Sequence, residues 1–400
     1  MKARIISCLL ACLLPLGSLL AESRIIPAQP TFLAETNHGR LERIGQGDDT
    51  IFLLYVWGTP EEMGRAHGQL LRSAVQQHSD RLIRLMTEAM QVKPEKLDEV
   101  YAATRPHIPA HFTAEMRGLA DGAGLLLETV VRCQMIGEAS EWHCSLFGAW
   151  GKATAADGHT YQLRALDYEV DAEIQRYPTI IVYAPRTGHP FANIGWAGVV
   201  GAVTGISSIP LAISEIGDSY DAKNDSFDGI PFAFLLRDIL QFDENLDAAV
   251  ARVRNAKRTT SLMYAIGDGR LGRVRALQTS RTLCNVFDPD NLEPNLATHP
   301  RLEDIVYWGM SWNVPKFDQP LHDRLKANYG NINAKTVIED ILPRVRTGNL
   351  QATVYDLTAN KIWTANARAK GEAGARNAYE RAFVELDMQA VFRRARELSR

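Results

Sequence analysis

The spacing of hydrophobic and polar positions changes once along this chain, near residue 143. Before that point, residues 51–57 (IFLLYVW) form a continuous apolar run bounded by Gly and Pro, the pattern of a buried strand. Thr59-Pro60-Glu61-Glu62 reads as a helix start, since proline suits the first turn and acidic side chains favour the positive end of the helix dipole. Helical spacing continues to about residue 90, and further helices are expected over 94–104, 113–119 and 125–136. Residues 24–50 keep no sustained period and read as an irregular arm.

From His143 onward strand-like runs take over, at 160–166, 179–183, 191–194, 202–206 and 211–214. Gly195, Gly198, Gly201 and Gly205 recur among them, as at tight turns, bulges or close backbone approaches. Helices over 229–240 and 246–256 follow, then a hairpin of 262–266 and 273–278 across the loop that begins Gly267-Asp268-Gly269. Residues 285–320 read as a long connection rich in Pro and Asn. Its Tyr307, Trp308, Trp312 and Phe317 would serve either as an apolar substrate wall or as core plugs. A helix over 334–344, a hairpin of 351–356 and 361–365, and a basic, solvated stretch at 367–376 complete the pattern. Helices first and layered strands and helices afterwards predict an α+β body with a mostly helical N-terminal segment.

Composition narrows the class. A hydrophobic fraction of 46% and a charged fraction of 23% are those of a globular protein. A formal net charge of −3 leaves no basic footprint for nucleic acid. There is no phosphate-binding Walker loop, no zinc-type Cys/His spacing and no dinucleotide fingerprint, so neither a cofactor nor a metal is expected. Lys2 and Arg4 precede an almost wholly apolar run over 5–20, with small residues at Ala21 and Ser23. This is the layout of a secretory signal over residues 1–23, and it sets an expectation of export to the periplasm or beyond, or to a lysosome-like compartment in a eukaryote. The run is too short for a membrane span, so no integral span is expected. Cys8 and Cys12 lie in that segment. Cys133, Cys144 and Cys284 remain, as a Cys133–Cys284 pair plus one thiol or as free thiols, with Cys133 fitting the core face of a helix.

The chemistry-bearing stretch is 143–168, HCSLFGAWGKATAADGHTYQLRALDY. Two strand-like runs joined across Asp157-Gly158 predict a hairpin. Pairing would bring Cys144, at the start of one strand, near Arg164 and Asp167 at the end of the other. A bend between Arg164 and Asp167 would aim both at one point. A nearby guanidinium favours the thiolate, so a nucleophile is one reading. A buried thiol beside a structural ion pair is the other.

These residues resemble the C45 peptidase-like branch of the N-terminal-nucleophile (Ntn) hydrolases, which includes the acyl-coenzyme A:6-aminopenicillanate acyltransferase and is related to acid ceramidase and bile-salt hydrolases. The family pattern is Cys followed by Ser or Thr, then Arg-Asn-x-Asp-aromatic at a strand end. Here it is Cys144-Ser145, then Arg164-Ala165-Leu166-Asp167-Tyr168. Glu62 to Gly68, Gly195-Trp196-Ala197-Gly198 through Thr204-Gly205, Ile213-Ser214-Glu215, and 229–268 are similar to the same family, so the resemblance covers about residues 50 to 370. Ala165 stands where the family has Asn, and Ser214 where several relatives have Asn before a Glu.

The resemblance implies a four-layer αββα sandwich. It divides the chain into residues 24–143, a helical segment, and 144–400, the catalytic body, with self-cleavage between His143 and Cys144 leaving an α/β heterodimer. It implies catalysis by Cys144, Arg164 and Asp167, with the freed α-amine of Cys144, whose ordinary pKa is about 8, as the base. Trp196, Ala197, Gly198, Ser214, Glu215 and Tyr168 are the implied oxyanion or substrate residues. The reaction would be hydrolysis or acyl transfer on a linear amide, such as an N-acyl amino acid or a lipid-like amide. Two other readings stand beside it. One is a thiol protease without self-cleavage, using His159, His189 or His299. The other is a non-catalytic exported binding protein, or an inactive form, on the same fold. His67, in a helical pattern, is expected to be structural.

Overall fold

The computed structural model describes residues 24–139, 143–217, 221–288, 300–309 and 318–400. The signal-like residues 1–23, together with Trp312, Phe317 and His299, lie outside the described residues.

Two sheets face one another. The first has the order β1 (Ile25–Pro27), β17 (Phe383–Asp387), β16 (Lys361–Asn366), β15 (Gln351–Asp356), β6 (Tyr161–Asp167), β5 (His143–Ala149) and β14 (Ile305–Trp308). The second runs β13 (Cys284–Phe287), β12 (Arg273–Thr279), β11 (Leu262–Asp268), β10 (Leu211–Gly217), β9 (Thr204–Ser207), β8 (Phe191–Trp196), β7 (Pro178–Pro185), β4 (Ile51–Gly58), β3 (Gly39–Ile44) and β2 (Thr31–Thr36). Near-continuous burial along β7 and β8 explains why their sequences run apolar instead of alternating, whereas β6, equally buried, carries Gln162, Arg164 and Asp167.

Helices cover both outer faces. α1 (Pro60–Leu70) packs on β3 and β4, with α2 (Arg72–Arg84), α3 (Pro94–Thr104), α4 (Ala110–Ala123) and α5 (Leu127–Ala139) around it, and α6 (Phe232–Phe242) and α7 (Leu246–Asn255) lie on β9 to β11. On the far side α8 (Gln319–Ala327) and the helical segment from Ala334 to Val345 bury Phe147, Leu163 and Ala165 in a core of their own. The result is the αββα arrangement expected. The C-terminal helix Met388–Leu398 contacts β4 and β7 of one sheet and β16 and β17 of the other.

α1 starts where expected. Thr59 and Glu62 form a reciprocal capping box, with Thr59 N–H on the Glu62 carboxylate at 2.7 Å and Pro60 in the first turn. α1 and α4 touch backbone to backbone. A Cβ at Gly64 would lie 2.1 Å from the Glu115 carbonyl oxygen, and one at Gly118 the same distance from that of Glu61. A buried ion pair, Arg237 Nη2 to Glu115 Oε2 at 2.5 Å, joins α6 to α4. Tyr183 O–H donates to Glu115 (3.0 Å), and its ring lies 4.3 Å from the Arg237 guanidinium. Those extra bonds and the ring face offset the desolvation of a fully buried pair.

Several expectations are corrected. Residues 24–50 hold three strands, β1 to β3; β1 is only three residues long, β2 is largely exposed, and β3 carries charges among its buried positions, which hides them. The connection at 285–320 contains β13 and β14, so Tyr307 and Trp308 sit on an edge strand beside β5. α8, β17 and the C-terminal helix were not anticipated. Cys133 and Cys284 are both free thiols, so no disulfide joins them. Among the described residues no helix is long and apolar enough to cross a membrane.

Candidate active site

β5 and β6 pair antiparallel, with His143 opposite Asp167, Cys144 opposite Leu166 and Leu146 opposite Arg164. The hairpin is the one expected from its Gly-bearing turn. Directly opposed residues share a face, so Cys144, Leu146, Arg164 and Leu166 face the second sheet. Ser145, Ala165 and Asp167 take the other face. The expected convergence of Arg164 and Asp167 side chains therefore does not occur: the strand stays regular to its end, and the two lie on opposite faces. Asp167 meets the thiol through its backbone N–H.

Cys144 is 2% exposed. Burial pushes its thiol up to about 12, Arg164 pulls it down, and Glu215 and Asp167 push it up. The guanidinium thus acts in the expected direction but is outweighed, and the residue is a neutral thiol at neutral pH in the intact chain. Arg164 is itself 1% exposed. Its Nε donates to the Glu215 carbonyl at 3.1 Å and its Nη2 to Glu215 Oε2 at 3.4 Å. Burial raises the Glu215 carboxyl and Arg164 lowers it. Arg164 Nη1 has no hydrogen-bond partner among the described residues.

Asp167 is held from the other side by a turn that sequence reasoning missed. Thr347 Oγ1 donates to Oδ2 at 2.6 Å, and the Gly348 and Asn349 N–H groups donate to Oδ1 at 2.8 and 2.9 Å. Ser145 and Thr347 hydroxyls lie 2.7 Å apart, so Ser145 donates onward into the same chain. Gly348 has φ +80°, which glycine adopts without strain. Burial raises the Asp167 carboxyl, and Thr347, Asn349 and Gly348 oppose it. Thr-Gly-Asn between a helix and a strand is a turn signature that would have flagged this element. Tyr168 N–H donates to Asn349 Oδ1 at 2.9 Å.

Two of the implied backbone oxyanion donors are engaged elsewhere. The Ala197 N–H is bonded to the Tyr177 carbonyl at 3.1 Å and the Gly198 N–H to His67 Nε2 at 2.9 Å. Ser214 Oγ accepts from Gln162 Nε2 at 2.9 Å, deep between the sheets. His67 is 1% exposed and burial lowers its pKa to about 3, so it is a neutral acceptor, structural as expected. Trp196 is different. Its Nε1 is buried without a partner, and its ring stacks on His78 at 6.5 Å. Trp196, Arg164 and Glu215 line one cavity, whose remaining wall is mainly apolar, from Leu82, Ile136 and Phe232. It holds about 720 Å³ of empty space, part of it open to solvent.

The histidines of the thiol-protease reading are not at the thiol. His159 pairs with Asp356 at 2.7 Å and lies seven residues before Leu166, about 23 Å along an extended strand. His189 pairs with Glu244 before β8 begins, at the end opposite Trp196. Among the described residues no cluster of His, Cys, Asp and Glu has the makings of a metal site.

No family model matches the chain. Protein dcd1A of Dictyostelium discoideum is 30% identical over 408 residues, spanning 91% of this chain and 90% of that protein. The chain belongs to the dcd1A family. Protein dcd1B of the same organism is also 30% identical, over 92% of this chain and 80% of its own length. The chain is also 26% identical over 181 residues to the N-acylethanolamine-hydrolyzing acid amidase of Rattus norvegicus, a match that spans 43% of this chain and 48% of that enzyme. That likeness supports the Ntn-hydrolase resemblance read from the motifs. A Caenorhabditis elegans ortholog of the same amidase overlaps 54% of the chain with a TM-score of 0.40 and 15% identity.

Proposed function

We propose that this protein is a self-processing cysteine amidase that cleaves a linear amide with an apolar acyl group. The observation that carries the reading is the β5–β6 register, which sets Asp167 opposite His143, beside the bond to be cut, and Arg164 on the face of the thiol. The Cys144 thiol attacks the His143 carbonyl carbon. The C–N bond of that peptide breaks, a thioester forms, and water releases the His143 carboxylate. Cys144 is left with a free α-amine, which takes the thiol proton in later turnovers. In turnover the substrate acyl carbon forms a thioester with Cys144, the amine departs with a proton, and water regenerates the thiol. Transfer of the acyl group to another amine would follow the same course.

The cavity lined by Trp196 and Arg164 supports an apolar acyl group. Its wall is mainly hydrocarbon, while Arg164 Nη1 and Trp196 Nε1 are unpaired donors that a substrate carbonyl would satisfy, with His78 Nδ1 also unpaired on the same wall. Similarity to an enzyme named for hydrolysing N-acylethanolamines favours an amide over an ester. The apolar leader at 5–20 supports export.

The test is denaturing mass analysis of the wild type and of Cys144→Ala, followed by assay on N-acyl amides of increasing chain length. Two wild-type fragments meeting at His143–Cys144, an intact mutant, and activity that rises with acyl length are expected. A wild type that stays whole and hydrolyses no amide overturns the proposal and leaves the binding-protein reading.

A further inference from the structure

A second cleft lies on the other side of the segment 170–177, which separates it from the apolar cavity: Ile174 lines the one and Gln175 the other. It opens between the β3–β4 turn, the start of β7 and the ends of β16 and β17, and holds about 920 Å³ of empty space, partly open to solvent. Arg43 stands at its rim, exposed, with no acidic partner among the described residues. Arg381 forms part of its lining and is 6% exposed. Its Nη1 is bonded to the Asn366 carbonyl and its Nη2 to the Asp48 carbonyl, both at 2.6 Å, and Asp49 pairs with it. Its Nε has no partner. Arg176 repeats the pattern, with Nη2 on Glu173 at 3.0 Å and Nε buried and unpaired. Gln175, 1% exposed, places its amide N–H₂ on the Val170 and Arg368 carbonyls and leaves Oε1 without a donor.

Buried polar groups in native proteins are nearly always paired, because one left unpaired loses its hydration without recovering a bond. Here three orphans gather on one cleft, two of them guanidinium N–H groups, and an unpaired guanidinium stands at the mouth. Asp49 pairs with Arg381, Glu173 with Arg176 and Asp48 with Arg368, and Glu372 also lines the cleft, so the vacancy is for hydrogen bonds more than for charge. Guanidinium donors match the oxygens of carboxylate and phosphate. Gln175 Oε1 asks in addition for a donor on the ligand.

We propose that this cleft is a binding site for a small ligand that carries an oxyanion, carboxylate or phosphate, together with a hydroxyl or ammonium donor. The oxyanion takes the Arg43 guanidinium and the Arg381 and Arg176 Nε–H groups; the donor takes Gln175 Oε1. The site is separate from Cys144 and stands whether or not the amidase reading holds.

The experiment is calorimetric titration of the full chain with inorganic phosphate and, separately, with lactate, a carboxylate bearing a hydroxyl. Wild type, Arg43→Ala and Arg117→Ala are compared, with melting curves to verify folding. Arg43 is exposed and has no acidic partner among the described residues, so its removal is expected to leave the fold intact. Arg117, exposed on α4, controls for loss of surface charge. One-site binding tighter than about 1 mM that weakens at least about tenfold in Arg43→Ala and is unchanged in Arg117→Ala is expected. Saturation by phosphate alone assigns a phosphate ligand, by lactate alone a hydroxy or amino carboxylate, and by both a general oxyanion site. No saturable binding of either probe, or equal binding by Arg43→Ala, overturns the proposal.

Discussion

Arg164 joins the thiol to the rest of the site, and its burial makes its removal expensive. Arg164→Ala leaves Glu215 buried and uncompensated, so a stability loss of about 3–5 kcal/mol is expected, read as a lower urea midpoint. Glu215→Gln keeps the volume and an acceptor and should lose less. A second residue-scale expectation concerns pH. Burial lowers His67 and His78 to about 3 in the folded state, from an ordinary value near 6.5. The unfolded chain therefore binds protons that the folded chain refuses. Stability is present in full above pH 6.5 and falls as pH drops from there toward 3. Glu138 works oppositely: burial raises it to about 7, so its stabilisation is full below pH 4.5 and is lost as pH rises through 7. Melting temperatures from pH 7 to 4 should show a shallower acid decline in His78→Gln than in the wild type. An unchanged slope would contradict the neutral burial of this imidazole.

At the scale of elements, two devices set the geometry. The Thr347–Asn349 turn fixes Asp167. Thr347→Val preserves shape but leaves Ser145 and Asp167 without their link, so about 1–3 kcal/mol of stability and most of the amide hydrolysis should be lost. Thr347→Ser should restore both. The α1–α4 contact is the other device. Gly64→Ala forces a Cβ against a backbone carbonyl and should lower stability by about 1–3 kcal/mol, whereas Gly195→Ala meets only an ordinary 3.7 Å contact and should change it little. Melting curves of the two variants test this. These elements also mark how far sequence carried the reading. The hairpin from Cys144 to Asp167 was legible because its apolar runs and Asp157-Gly158 turn are local signals. The Asp167 cradle was not, since its parts lie about 180 residues further along the chain. The faces of Arg164 and Asp167 were misjudged because only the register decides whether a strand bends at its end. β1 and β17 were missed because each is short: β1 has its partner at the other end of the chain, and β17 meets its other partner, β16, only across the basic stretch at 367–376.

For the molecule as a whole, both sheets mix strands from before and after residue 143. β2, β3 and β4 are continuous with β7 onward in the second sheet, and β1 completes the edge of the first. Self-cleavage would therefore leave two pieces held by a shared core, with no separable domain. The cut protein should migrate as one particle in native gel filtration and as two chains under denaturing conditions. Dissociation of the fragments without denaturant would contradict this arrangement.

The parallel pairing of Ile25 with Phe383 also bears on synthesis. The first strand described, β1, waits for β17, so that edge of the sheet cannot close until the chain has been made through residue 387, whereas the β14 edge beside β5 can form earlier. The N-terminal helices can gather early, but the layer that carries Cys144 is completed only once β17 has been made. A premature stop that removed only the final strand and helix would strand the nascent protein with an open sheet edge, prone to aggregate, though every residue proposed for chemistry had already been made.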